Sequence, residues 1–130
     1  MRSVLEFGVP VWNPGLTKQQ TKDIKRVQKT FLYIIYSTSY KNYQQALDKS
    51  KLESLEDRRV KLCEAFAVKT ALHSKHQHWF KLNKPIYATR TQNKYVAPKS
   101  TTKRFTESPI PYLTHMLNKI HRLKETNMKL

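Results

Sequence analysis

Apolar residues recur at Ile24, Val27, Phe31, Ile34 and Ile35. At about 100° per residue they fall in one arc, so the spacing predicts an amphipathic helix ending near Tyr36. Thr17 supplies its N-cap, and Gln20 three residues on completes a capping box. After a polar break at 37–41, a short helix from Tyr43 to Lys49 is expected to turn Ala46 and Leu47 inward. Ser54, with Asp57 three residues later, opens the next helix, where Leu55, Leu62, Cys63, Phe66 and Thr70 share a face. That helix is expected to run to about Ser74, with a last turn or separate short helix in 73–80. At the other end, residues 2–8 read as a helical piece stopped by Gly8 and Pro10, and 9–16 as a turn-rich connector containing Asn13-Pro14-Gly15.

The helical period stops at residue 84. Residues 84–108 hold Pro85 and Pro98 among serines, threonines and asparagines, with basic residues at Lys84, Arg90, Lys94, Lys99, Lys103 and Arg104. They read as an extended basic arm, functional or disordered. Pro111 then starts a helix with a stripe of Leu113, Met116, Leu117, Ile120 and Leu123, fraying beyond Glu125. The expected fold is mainly α: a small helical bundle over 1–83, the arm over 84–108, and a C-terminal amphipathic helix with its tail over 109–130.

Composition narrows the function. Lys plus Arg number 25 against 9 Asp plus Glu, an excess that gathers anions, with nucleic acid first among them. No apolar run approaches the roughly 18–20 residues needed to cross a bilayer, and no secretory signal opens the chain. A soluble, intracellular protein with no membrane partner is expected, nuclear or cytoplasmic. Cys63 has no second cysteine to pair with, in keeping with a reducing compartment. The only glycines, Gly8 and Gly15, do not supply a phosphate loop or dinucleotide fingerprint. No small-molecule substrate is indicated.

Several blocks carry a resemblance. The opening Arg2-Ser-Val-Leu-Glu-Phe-Gly-Val-Pro-Val-Trp-Asn-Pro14 resembles the segment after the polymerase palm in reverse transcriptases of non-LTR (LINE-like, jockey-type) retrotransposons. There a run close to Arg-Ser-Val-Leu-Glu-Tyr-Gly-x-Pro-Val-Trp-x-Pro leads into the thumb. Further blocks follow in the family's order: Ser39-Tyr40 through Ala46-Leu47, Leu55 with Arg58-Arg59, and Leu62-Cys63 with Phe66. Arg104-Phe105 through Ser108-x-Ile110-Pro111-Tyr112-Leu113 comes next, ending at Leu117-Asn118. The resemblance spans residues 2–118, with Phe7 where the family usually has tyrosine and Pro109 where it has a larger apolar residue. It implies a thumb-like bundle that lies along an RNA or RNA–DNA duplex without reading its sequence. Met1 stands where the resemblance expects a continuing helix, so the palm is expected to be the missing partner.

Lys18, Lys22, Lys25 and Lys29 recur every three or four residues, forming one stripe of roughly 16 Å on a helix. Such a stripe is either a solvated face or a grip on a phosphate backbone. The resemblance favours the grip, with Arg26 and Arg58 at its margins. Arg90, Lys94, Lys103 and Arg104, interleaved with Tyr87, Tyr95 and Phe105, suit an arm that orders on nucleic acid, or a plain linker. Arg59 falls inside the face of Leu55, Leu62, Cys63 and Phe66 and needs an acceptor. The resembling blocks imply Glu6 as its ion-pair partner. Trp12 and Trp79 are either packing residues or stacking platforms for an unpaired base.

Chemistry of catalysis fails on inventory. Cys63 with His73, His76 and His78 lacks the short regular spacing of a zinc knuckle, so no metal site is assigned. Polymerase chemistry needs clustered carboxylates to hold metal ions, in the family a Phe/Tyr-x-Asp-Asp block of the palm. Asp23, Asp48 and Asp57 stand apart from one another and outside such a setting. The chain is expected to be no enzyme on its own and to hold no cofactor; the Mg of a complete polymerase would sit on palm residues absent here. Two other classes stay open: a structural or self-associating piece with apolar surfaces at Val4, Leu5, Val9 and Trp12, and a relic reading frame without selected function.

Overall fold

Capping groups set where the helices begin. The computed structural model describes residues 4, 6–84 and 93–127. Among them are α1 (Val9–Trp12), α2 (Lys18–Tyr36), α3 (Tyr43–Ser50), α4 (Leu55–Leu72), α5 (Lys103–Thr106) and α6 (Pro109–Asn127). The fold is mainly α, as the pattern predicts. Thr17 Oγ1 accepts from the Gln20 amide at 3.2 Å while the Thr17 amide donates to Gln20 Oε1 at 2.9 Å, the reciprocal capping box. Asn42 Oδ1 accepts from the Gln45 amide at 2.8 Å, and Ser54 Oγ from the Asp57 amide at 3.1 Å. At its far end α3 is closed by Lys51 in the left-handed region at φ 51°, with the Leu52 amide donating to the Leu47 carbonyl at 3.1 Å.

Contacts divide the chain into a smaller unit, 16–61, and a larger one, 1–15 with 62–130. The sequence divisions at 83/84 and 108/109 instead follow changes of composition along the chain. In the smaller unit Leu32, Ala46 and Leu47 form the buried centre, with Tyr36, Tyr40, Tyr43 and Leu52 packed around them. Here α2 departs from the arc its pattern predicts. Val27, Phe31, Ile34 and Ile35 are exposed, whereas Leu32 is fully buried and Gln28 nearly so. The cause is polar. Gln28 Oε1 accepts from Tyr43 Oη at 2.7 Å and the Leu55 amide at 3.0 Å, and its Nε2 donates to the Glu53 carbonyl at 3.0 Å. Three partners, one from α3, one from the segment before α4 and one from its first residue, thus hold the Gln28 edge inward, and the greasier arc faces away.

In the larger unit Val9, Cys63, Ala67, Phe80, Leu113 and Leu117 make the core, with Trp12, Leu62, Tyr95 and Tyr112 against it. The apolar surface expected at the opening is therefore reduced. Val9 is buried and Trp12 packs on the core, Val4 is exposed, and Leu5 lies outside the described residues. Phe66, expected inward, is 40% exposed, and Ala67 takes the buried place. The expected arm is extended only in part. Residues 85–92 lie outside the described ones, a β-bridge pairs Leu82 with Tyr95, and Lys103–Thr106 form α5. That short helix starts because Thr102 Oγ1 accepts from the Phe105 amide at 3.3 Å.

Candidate nucleic-acid interface

The lysine stripe of α2 is built by the same capping box and the same buried edge. At about 100° per residue, Leu32 and Tyr36 follow Lys18, Lys22, Lys25 and Lys29 on nearly the same side of the helix. The four lysines therefore run beside the packed edge, and all four are exposed. Lys25 Nζ lies 5.5 Å from the centre of the Tyr43 ring, and Lys49 Nζ, from α3, 5.0 Å from that of Tyr36. These cation–π contacts hold the two cations over tyrosines that also serve the core. The Tyr43 phenol is raised above its ordinary pKa, first by burial and then by the Asp57 and Glu56 carboxylates, so it stays a neutral donor to Gln28.

Arg26 is exposed and Arg58 half-buried. Arg59, as its place in the pattern predicts, is buried at 3% exposure, and its Nε and Nη1 have no hydrogen-bond partner. It lines a cavity of about 10 Å³, the size of one water molecule, together with Gln28, Tyr43, Lys25 and Thr21. Glu6, its implied partner, belongs to the larger unit and is half-buried there.

Of the arm cations, Lys94, Lys103 and Arg104 are exposed, and Arg90 lies outside the described residues. Lys103 Nζ is 3.8 Å from Glu107 Oε1 one turn on. Lys94 is held more firmly. Its carbonyl accepts from the Asn83 amide at 2.8 Å, and its neighbour Tyr95 is clasped by Asn118, which accepts from the Tyr95 amide and donates to its carbonyl, both at 2.9 Å. The clasp lays residues 93–96 along α6, where a groove of about 270 Å³ opens beside His115, Lys119 and Arg122. Arg122 Nη2 donates to Asn93 Oδ1 at 2.6 Å across that groove. Sequence reasoning missed these three residues. Their spacing of four and three residues along one side of α6 was the available signal.

Among the described residues no group of three His, Cys, Asp or Glu is placed to hold a metal ion. Nor, among them, is any helix long and apolar enough to cross a membrane. Cys63, the single cysteine of the chain, is buried, with Asn13 Nδ2 at 3.8 Å from its Sγ. Nearby, the Tyr112 phenol is raised above its ordinary pKa by burial first and by Cys63 second, against a lowering hydrogen bond with Asn13.

No family model, no curated protein and no solved structure matches the chain.

What this surface can do follows from its chemistry. Four exposed ammonium groups along one side of α2 offer point charges to an anionic partner.

Proposed function

We propose that the chain is a backbone-gripping, thumb-like piece of an RNA-directed DNA polymerase of the non-LTR retrotransposon type, acting on an RNA or RNA–DNA duplex without sequence preference. One observation carries the binding role: Lys18, Lys22, Lys25 and Lys29 are all exposed along a single capped helix. The blocks between residues 2 and 118 carry the polymerase part of the reading. The chemistry of nucleotide addition would belong to the palm, through a Phe/Tyr-x-Asp-Asp block. A coding sequence for that block directly upstream of Met1 would support this part.

The binding role is tested with a fluorescein-labelled RNA–DNA hybrid titrated at several salt concentrations. Four lysines on four phosphates give a fall of about 3 to 4 log units in affinity per log unit of salt. Replacing Lys22 and Lys29 by alanine lowers that slope by about 2. Absence of binding at low salt, or a slope indifferent to the double replacement, refutes the role.

One observation favours a second reading, a structural one. The arc of Val27, Phe31, Ile34 and Ile35 is exposed on α2, and apolar surface of this kind drives association. Light scattering across a concentration series separates the two, because the lysine stripe repels copies of itself while the arc attracts them.

A further inference from the structure

The segment from His73 to Trp79 is used by neither core nor lysine stripe, yet it is closely ordered. Successive turns hold its backbone: the His76 and Gln77 amides donate to the His73 carbonyl at 3.0 and 3.1 Å, and the Trp79 amide to the His76 carbonyl at 3.1 Å. On that frame the rings of His73, His76 and Trp79 form a slanted ladder. The first two centroids are 5.3 Å apart with planes 33° apart, and the next pair 4.7 Å apart at 37°. His78 meets the indole edge-on, 5.8 Å away at 75°.

The position of Trp79 is the second point. Its neighbour Phe80 fills the core at 3% exposure, whereas the indole, with the larger apolar surface, keeps 38% of its area in water. Lys75, between His73 and His76 in sequence, and Lys81, two residues after Trp79, are both exposed. Ring faces interleaved with cations, held in place before any ligand arrives, are what a single-stranded nucleic acid needs: each base has a face to stack, and its phosphates meet charge. A base inside a duplex has no such face to offer.

We infer that the His73–His76–Trp79 ladder is a stacking site for an unpaired nucleobase, with Lys75 and Lys81 holding the adjoining phosphates. The inference rests on the nucleic-acid reading above and adds a second mode to it, taking single-stranded nucleic acid through base faces. The lysine stripe, by contrast, takes a duplex through its backbone.

The test compares a short oligoadenylate with an oligomer of equal length and charge that lacks bases, each titrated against the full chain. Tryptophan emission and a fluorescent end label are read together. The site requires both oligomers to bind, oligoadenylate about tenfold or more tightly. Only oligoadenylate then quenches the emission, and the quenching persists in Trp12→Phe. Trp79→Ala lowers oligoadenylate to the affinity of the baseless oligomer and leaves the latter's unchanged, with far-UV circular dichroism reporting that the variant is folded. Equal affinities with no quenching overturn the stacking site while the backbone reading stands. Failure of both oligomers and of the hybrid duplex to bind overturns both.

Discussion

Truncating Leu32 to alanine is expected to destabilise the protein far more than truncating Ile34, although the helical pattern gives Ile34 a place in the apolar arc and Leu32 none. Leu32 is fully buried among Ala46, Leu47 and the tyrosines, and Ile34 is 68% exposed. A buried leucine cut to alanine costs about 2–5 kcal/mol, whereas a surface change stays within about 0.5 kcal/mol. Gln28→Leu tests the cause of that orientation. It keeps the volume but leaves the Leu55 amide, the Tyr43 hydroxyl and the Glu53 carbonyl without their partner. At about 1 kcal/mol each, the loss is about 3 kcal/mol in all. With a urea m-value of about 1–3 kcal/mol/M, such a loss lowers the unfolding midpoint by about 1–3 M. Circular dichroism and the amide signals of residues 18–50 would follow the transition. If Ile34→Ala proved costlier than Leu32→Ala, or Gln28→Leu left the midpoint in place, the polar account of how α2 is turned would be wrong.

Three further outcomes follow from particular groups. Tyr43 has a pKa raised by burial and by Asp57 and Glu56, so the stability drawn from its neutral phenol is complete below about pH 10 and lost as pH rises through its folded value. Tyr43→Phe should therefore be less stable than the parent by about 1 kcal/mol at pH 7, and urea curves at rising pH should show that gap closing above about pH 10; a constant gap counts against the assignment. Lys51, a side-chain-bearing residue in the left-handed region, should gain up to about 1 kcal/mol on replacement by glycine, read as a raised melting temperature. Asn118→Ala removes both bonds that clasp Tyr95 and should cost about 2 kcal/mol. Hydrogen exchange at the Tyr95 amide should quicken with it, and unchanged protection there would show that the clasp does not hold residues 93–96.

Much of the helical framework is legible in the sequence because its signals are local. Thr17 with Gln20, and Ser54 with Asp57, start helices through contacts that span three residues, and the structure holds both caps. The four lysines are equally legible, since lysine goes to water by default and their spacing follows the helix alone. The buried face of α2 is another matter. A periodic pattern offers an apolar arc, but the face that packs is chosen by Gln28 and its partners at Tyr43, Glu53 and Leu55, which no local window contains. The same holds for the groove of His115, Lys119 and Arg122, where Asn118 binds the backbone of Tyr95, more than twenty residues away in the chain.

These two buried amides link fold to proposed function. Gln28 turns α2 so that its lysines border the packed edge, which lets Lys25 rest on Tyr43 rather than sweep freely through solvent. Asn118 does the like for Lys94, whose backbone it fixes through Tyr95 beside Lys119 and Arg122. A cation tethered near its backbone loses less freedom on meeting a phosphate than one on an unrestrained stem, so the ordering cost of binding falls. On this view the contribution of Lys25 to affinity depends on Gln28. Gln28→Leu, which removes the three bonds to Tyr43, Leu55 and Glu53 without adding a charge, should weaken hybrid binding only as far as it loosens that edge. Lys25→Ala should then cost less in its background than in the parent. Strict additivity of the two changes would separate the amide from the grip.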